Sequence, residues 1–235
     1  QAARVRTQAK VIGVTGSVGK TGTKEMLRAA LAGQGAVHAA VRSFNNHWGV
    51  PLTLARMPQD TDFAVIEIGM NHPKEIGPLS RMARLDVAVI TTVAAVHMAA
   101  FDDVDQIALA KAEIFEGLGP EGIAVLNADI ATLPLLLDAR KNGHNNGRNI
   151  LFGRAELADL HLVEARTATT VTTVEARLNG QAILFKLGAP GEHLAMNALA
   201  VLGAVEAVGG DVAQAMLALA SWHAPSGRGQ RFDVV

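Results

Sequence analysis

The stretch TGSVGKT at 15–21 constrains this chain more than any other feature. It follows four apolar residues, 11–14, and precedes a helix-like pattern. A strand, a glycine turn and a helix start in that order point backbone N–H groups into the turn. They also set the positive end of the helix against whatever lies there, which favours an anion. Gly16 and Gly19 permit the tight turn. Lys20 can reach β- and γ-phosphates, and the Thr21 hydroxyl can ligate Mg²⁺. The usual pattern, G-x-x-x-x-G-K-(S/T), asks for a glycine at position 14, where Val14 stands. A turn without a ligand is the plainer reading, but the complete set of elements favours a phosphate loop.

The surrounding pattern extends the strand–turn–helix unit. Apolar runs at 11–14, 37–40, 63–68, 87–91 and 123–126 read as buried strands. Helix-like stretches at 20–32, 51–56, 74–84, 104–118 and 131–141 lie between them. Alternation of this kind implies right-handed βαβ units. From 158 to 187 the period changes to two, with the turn pair Asn179–Gly180 within it. Helices at 192–208 and 211–221 come next. The expected fold is α/β: a mostly parallel sheet flanked by helices and carrying a phosphate-binding loop, plus a small antiparallel β-sheet subdomain. Sites in such sheets gather at the carboxyl ends of the strands.

Composition removes several function classes. A formal net charge of -1 gives no basic field for nucleic acid. The absence of cysteine excludes disulfides and thiolate metal sites, which agrees with a cytoplasmic location. The longest apolar run, 87–101, contains Thr91, Thr92 and His97 and is shorter than the ~18 residues a spanning helix needs. The chain starts at Gln1 and stops at RFDVV, as expected of a piece of a longer protein.

Three further residues bear on chemistry. Glu67 closes the apolar run FAVIEIG, where a Mg²⁺ on the loop would lie. Its alternative is a strand-end carboxylate that escapes to solvent. Lys111 falls in the apolar stripe of its helix, with Ile107 four residues before and Phe115 four after. Its head must snorkel or find a partner, and on sequence alone snorkelling is favoured. Desolvation would instead give a neutral amine, able to take up CO₂ as a carbamate. His97 comes after the 87–91 strand, at the same sheet edge as Glu67. Taken alone, a histidine among small apolar residues is more often structural than a ligand.

Together these motifs resemble the central ATP-binding domain of the Mur ligases, the amide ligases of peptidoglycan synthesis. That family uses a shortened loop, T-G-(S/T)-x-G-K-T, in which Val14 is no defect. Further matches are NNHWGVP at 45–51, EIGMNHPKEI at 67–76, AVHMAAF at 95–101, AKAEIFEGL at 110–118 and GEHLAMNALA at 191–200. The resemblance implies ATP and two Mg²⁺ ions. Gly16, Ser17, Val18, Gly19, Lys20, Thr21 and Gly22 would cradle the phosphates, with Asn197 and Arg228 as further nucleotide contacts. Thr21 and Glu67 would hold one metal. His97 and a carbamylated Lys111 would hold the second, which reverses the sequence-only preference for both; with Lys20 they form the implied catalytic set. Asn45 and Asn46 would border the acyl substrate. One departure is Leu194, which stands after His193 where the family often has asparagine, so no role is carried over to His193.

The resemblance further implies an acyl-phosphate route joining D-alanyl-D-alanine to UDP-N-acetylmuramoyl-tripeptide in a monomeric enzyme. Residues 1–9 and 226–235 would link the central domain, 10–225, to neighbouring domains. Folylpolyglutamate synthases, which share the superfamily, and other Mur ligases are the alternative ligases. A non-ligase nucleotide module is the alternative from another class. Such a module needs Lys20, Thr21 and Glu67 but has no use for His97 and Lys111.

Overall fold

The computed structural model describes residues 2–40, 42–96, 100–143 and 147–224. A short helix, α1 (Ala2–Val5), leads into β1 (Lys10–Thr15), which is buried at every position after Lys10. The helices α2 (Lys20–Leu31), α3 (Gly49–Ala55) and α4 (Ile76–Ala83) alternate with β2 (Val37–Ala39), β3 (Phe63–Glu67) and β4 (Leu85–Ile90). Next come α5 (Val104–Ala112), a 3₁₀ turn at Glu113–Gly117, β5 (Leu118–Asn127), α6 (Leu133–Asn142) and β6 (Asn149–Gly153). The last part holds β7 (Leu160–Thr167), β8 (Thr172–Leu178), β9 (Gln181–Leu187), α7 (Glu192–Ala207) and α8 (Val212–Ala220).

The strands form one nine-stranded sheet in the order β2-β3-β1-β4-β5-β6-β7-β8-β9. Pairing is parallel from β2 through to β7 and antiparallel across β7, β8 and β9. The antiparallel strands are therefore present, and Phe152 and Gly153 of β6 pair with Leu160 and His161 of β7 to join them to the same sheet. Asn179 and Gly180 both take positive φ, 49° and 85°, which matches the twist of a two-residue hairpin. Alternate side chains of the central strands feed two cores. Ile12, Val14, Val87 and Val89 face α2, α7 and α8. Val11, Ala88 and Ile90 face α3 to α6.

Several boundaries differ from the sequence pattern. The expected helix over 104–118 ends as α-helix at Ala112 and tightens to 3₁₀ before β5 begins at Leu118. The helix expected from 74 starts at Ile76, because the Glu113 carboxylate accepts from the Lys74 and Gly77 N–H groups, 2.6 and 3.0 Å, at its entrance. The sequence pattern does not predict β6. Its five residues carry no period of their own and lie beside a polar connection. No helix among the described residues is long and apolar enough to cross a membrane.

Candidate nucleotide and metal site

The phosphate loop lies at the carboxyl ends of β1, β3 and β4, where a doubly wound sheet places its ligands. Two glycines set its shape. Gly16 has φ 150° and a Cβ there would collide with the Thr91 hydroxyl. Gly19 has φ 89°, and its Cβ would stand 2.8 Å from the Asn197 Oδ1. The loop is tied to the segment leaving β4. Ser17 N–H donates to Thr92 O at 2.9 Å, and Ser17 Oγ donates to Ala94 O at 3.0 Å and accepts from Ala94 N–H at 2.9 Å. Thr91 Oγ1 donates to Val18 O at 2.6 Å. The loop is thus held by its own neighbours, with Val18 exposed at its tip. The Lys20 ammonium folds back to Gly16 O, 2.6 Å, over the turn.

Thr21 Oγ1 donates to Glu67 Oε1 at 3.0 Å and shares a 3.1 Å hydrogen bond with Ser43 Oγ. Asn45 Nδ2 donates to the same Oε1 at 2.8 Å. Glu67 is only 1% exposed, and its Oε2 has no hydrogen-bond partner among the described residues. The strand-end glutamate therefore does not escape to solvent. A buried carboxylate oxygen without a partner is costly unless a cation meets it. Magnesium, which takes one or two carboxylates together with phosphate oxygens, fits this donor set. No group of three or more histidines or carboxylates with metal-site spacing occurs among the described residues. A nucleotide-bound magnesium does not require one.

Lys111, in the last turn of α5, is 2% exposed, so the snorkelling favoured on sequence alone does not occur. Burial, with a smaller effect from the Lys20 charge, lowers its pKa to about 7. That leaves a large neutral fraction in the physiological range. Its stripe partners Ile107 and Phe115 are both buried.

The remaining expectations divide. Asn197 comes from the first turns of α7 and places its carboxamide against Gly19; a Cβ added at Gly22 would stand 3.9 Å from its Nδ2. Asn45 donates to Glu67 itself, and its backbone O accepts from Gly69 N–H at 2.8 Å. The Asn46 Oδ1 accepts from Trp48 and Gly49 N–H, 3.1 and 2.9 Å, at the entrance of α3. His97 and Arg228 lie outside the described residues.

Ser43 and Lys24 belong to the site region although the sequence pattern does not single them out. Lys24 is fully buried and donates to Ala40 O at 2.7 Å and Arg42 O at 3.1 Å. Its signal was available: Lys24, Leu27 and Leu31 have the same 3–4 spacing that exposes Lys111 as a misplaced lysine.

Known proteins are similar to this chain in sequence and in fold. The Mur ligase middle domain matches residues 14–205. The UDP-N-acetylmuramoyl-tripeptide--D-alanyl-D-alanine ligase of Bacillus subtilis (strain 168) is 37% identical over 195 residues, which are 83% of this chain and 40% of that protein. A crystal structure of MurF from Acinetobacter baumannii superposes with a TM-score of 0.89 at 28% identity, covering 96% of this chain and 49% of that one. The MurF ligase of Thermotoga maritima in complex with ADP gives a TM-score of 0.84 at 27% identity, covering 96% and 52%. The chain thus spans about half the length of the relatives it matches.

Proposed function

The chain belongs to the Mur ligase family, by its middle domain, and from that premise we propose that it is the ATP-binding part of a ligase. That ligase would join D-alanyl-D-alanine to UDP-N-acetylmuramoyl-tripeptide. The observation that carries the reading is the buried Glu67 carboxylate on the phosphate loop, with Thr21 and Asn45 on one oxygen and no partner among the described residues on the other.

In this reading the loop amides from Val18 onward and the Lys20 ammonium hold the β- and γ-phosphates of ATP, the Ser17 N–H being engaged by Thr92 O, and Asn197 meets the adenine. Thr21 and Glu67 would hold Mg²⁺, which when bound offsets phosphate charge. The Lys111 amine would add to CO₂, forming an N–C bond and releasing a proton. With His97, the resulting carbamate would hold a second Mg²⁺.

The reaction brings two anions together. A carboxylate oxygen of the tripeptide attacks the γ-phosphorus, the bond to the β-phosphate oxygen breaks, and ADP leaves. The D-alanyl-D-alanine amine then attacks the acyl carbon; phosphate departs and the nitrogen loses a proton. Lys20 and the loop amides contribute by charge and placement, since phosphoryl transfer gives a protein little covalent work. The Thr91 and Ser17 hydrogen bonds hold the amides in place before ATP arrives. Asn46 sets the start of α3, so its part at the acyl substrate is through the position of that loop.

The relatives are about twice as long, and the proposal assigns the UDP-sugar and amine sites to parts of the protein outside this chain. Titration calorimetry tests it. The chain should bind ATP more tightly with Mg²⁺ than with chelator, and should not form the amide bond alone. Nucleotide binding that ignores Mg²⁺, or ligation of D-alanyl-D-alanine by the isolated chain, would overturn the reading.

A further inference from the structure

Lys24 is the most buried cation of the site region, and no step of the proposed reaction uses it. It lies one turn beyond Lys20 on α2, with no accessible surface. Its ammonium has three acceptors: Ala40 O at 2.7 Å, Arg42 O at 3.1 Å and Glu25 Oε1 at 2.9 Å. Glu25 is in turn bonded by Arg28 Nε at 2.9 Å. Two of the three acceptors are backbone carbonyls of the segment that leaves β2. That strand is at the sheet edge and pairs with β3 through Val37, His38 and Ala39. The ladder ends at Ala39, and Lys24 takes over the task of holding the backbone beyond it.

The metal site lies just past those carbonyls in the chain. Ser43 Oγ meets Thr21 Oγ1 at 3.1 Å, Asn45 Nδ2 meets Glu67 Oε1 at 2.8 Å, and Asn45 O accepts from Gly69 N–H at 2.8 Å. The segment is therefore a strap. One end is fixed to α2 by Lys24, and the other orients the hydroxyl and the carboxylate.

We propose that Lys24 is a positioning residue for the magnesium–triphosphate site, acting through the Arg42 carbonyl and the 42–45 strap to set Ser43 and Asn45 against Thr21 and Glu67. The inference rests on the ATP-binding function already proposed. Loss of a group that orients a metal ligand from behind typically costs about 10–100-fold in metal affinity. A lysine suits the task because its compact ammonium can gather two carbonyls and a carboxylate, and removing it would leave the Ala40 carbonyl buried without that donor.

Lys24→Met keeps the stem and removes the charge. ATP affinity of parent and variant is measured by calorimetry with Mg²⁺ and with chelator, and hydrogen exchange is monitored at the 43–46 amides. The expected result is a loss of about tenfold or more in affinity with Mg²⁺. The chelator value, which depends on the loop amides and Lys20, should change less than about threefold, and exchange at 43–46 should speed up. If Lys24→Met does not fold, Lys24→Gln, which keeps one donor for the Ala40 carbonyl, carries the same comparison. Equal losses in both conditions, or unchanged affinity in a folded variant, overturn the role of Lys24 alone. A parent chain that binds no nucleotide overturns the proposed function, and this inference with it.

Discussion

Replacing Lys111 by methionine should make the nucleotide-free chain more stable while destroying its proposed chemistry. The folded-state pKa is about 7, against an ordinary lysine value of 10.5. Between those values the unfolded chain binds a proton that the folded chain does not. Unfolding free energy therefore rises with pH across that window, by up to about 1.4 kcal/mol per pH unit. The stability withheld by the buried amine is fully missing below about pH 7 and fully recovered above about pH 10.5. The whole shift corresponds to about 5 kcal/mol, an upper bound because buried sites relax and admit water. Methionine fills the same volume between Ile107 and Phe115 without a charge, so Lys111→Met should gain roughly 1–4 kcal/mol at neutral pH. Urea unfolding of parent and variant in CO₂-free buffer, at intervals from about pH 6.5 to about pH 10, measures the difference. The two curves should converge as pH rises. Added bicarbonate should stabilise the parent only, since a ligand of the folded amine alone shifts the equilibrium toward it. Parallel curves for the two proteins would refute the argument, because they would mean that Lys111 titrates in the folded chain as it does in the unfolded one.

Two other substitutions separate the loop from its acid. Glu67→Gln keeps an acceptor for Thr21 and Asn45 but removes the charge from the unpartnered oxygen. ATP binding should lose its dependence on Mg²⁺, while stability by thermal unfolding stays within about 1 kcal/mol of the parent. Gly16→Ala forces a Cβ against the Thr91 hydroxyl at a φ that side chains avoid. It should cost about 1–3 kcal/mol in denaturant unfolding and weaken ATP binding with or without Mg²⁺.

Much of this architecture was legible because its causes are local. The parallel strands are runs of apolar residues with both faces covered, and Asn179–Gly180 announces a hairpin by backbone preference alone. The 3₁₀ turn after Ala112 was hidden because its sequence still carries helical spacing. What stops the helix is the Glu113 carboxylate, engaged at the entrance of α4, and that contact joins residues far apart in the chain. The site divides in the same way. Lys20, Thr21 and Glu67 are read from a motif and a strand end, whereas Ser43 comes from a segment with no periodicity, and its place depends on a buried lysine in another element. Lys24 and Lys111 share one signature, a lysine inside an apolar helical stripe, yet they have opposite surroundings. Lys24 is met by two carbonyls and a carboxylate, whereas Lys111 is desolvated and its pKa falls to about 7. A lysine in a stripe therefore signals burial, and only its neighbours in space decide whether it braces the backbone through fixed acceptors or is left desolvated and available for chemistry.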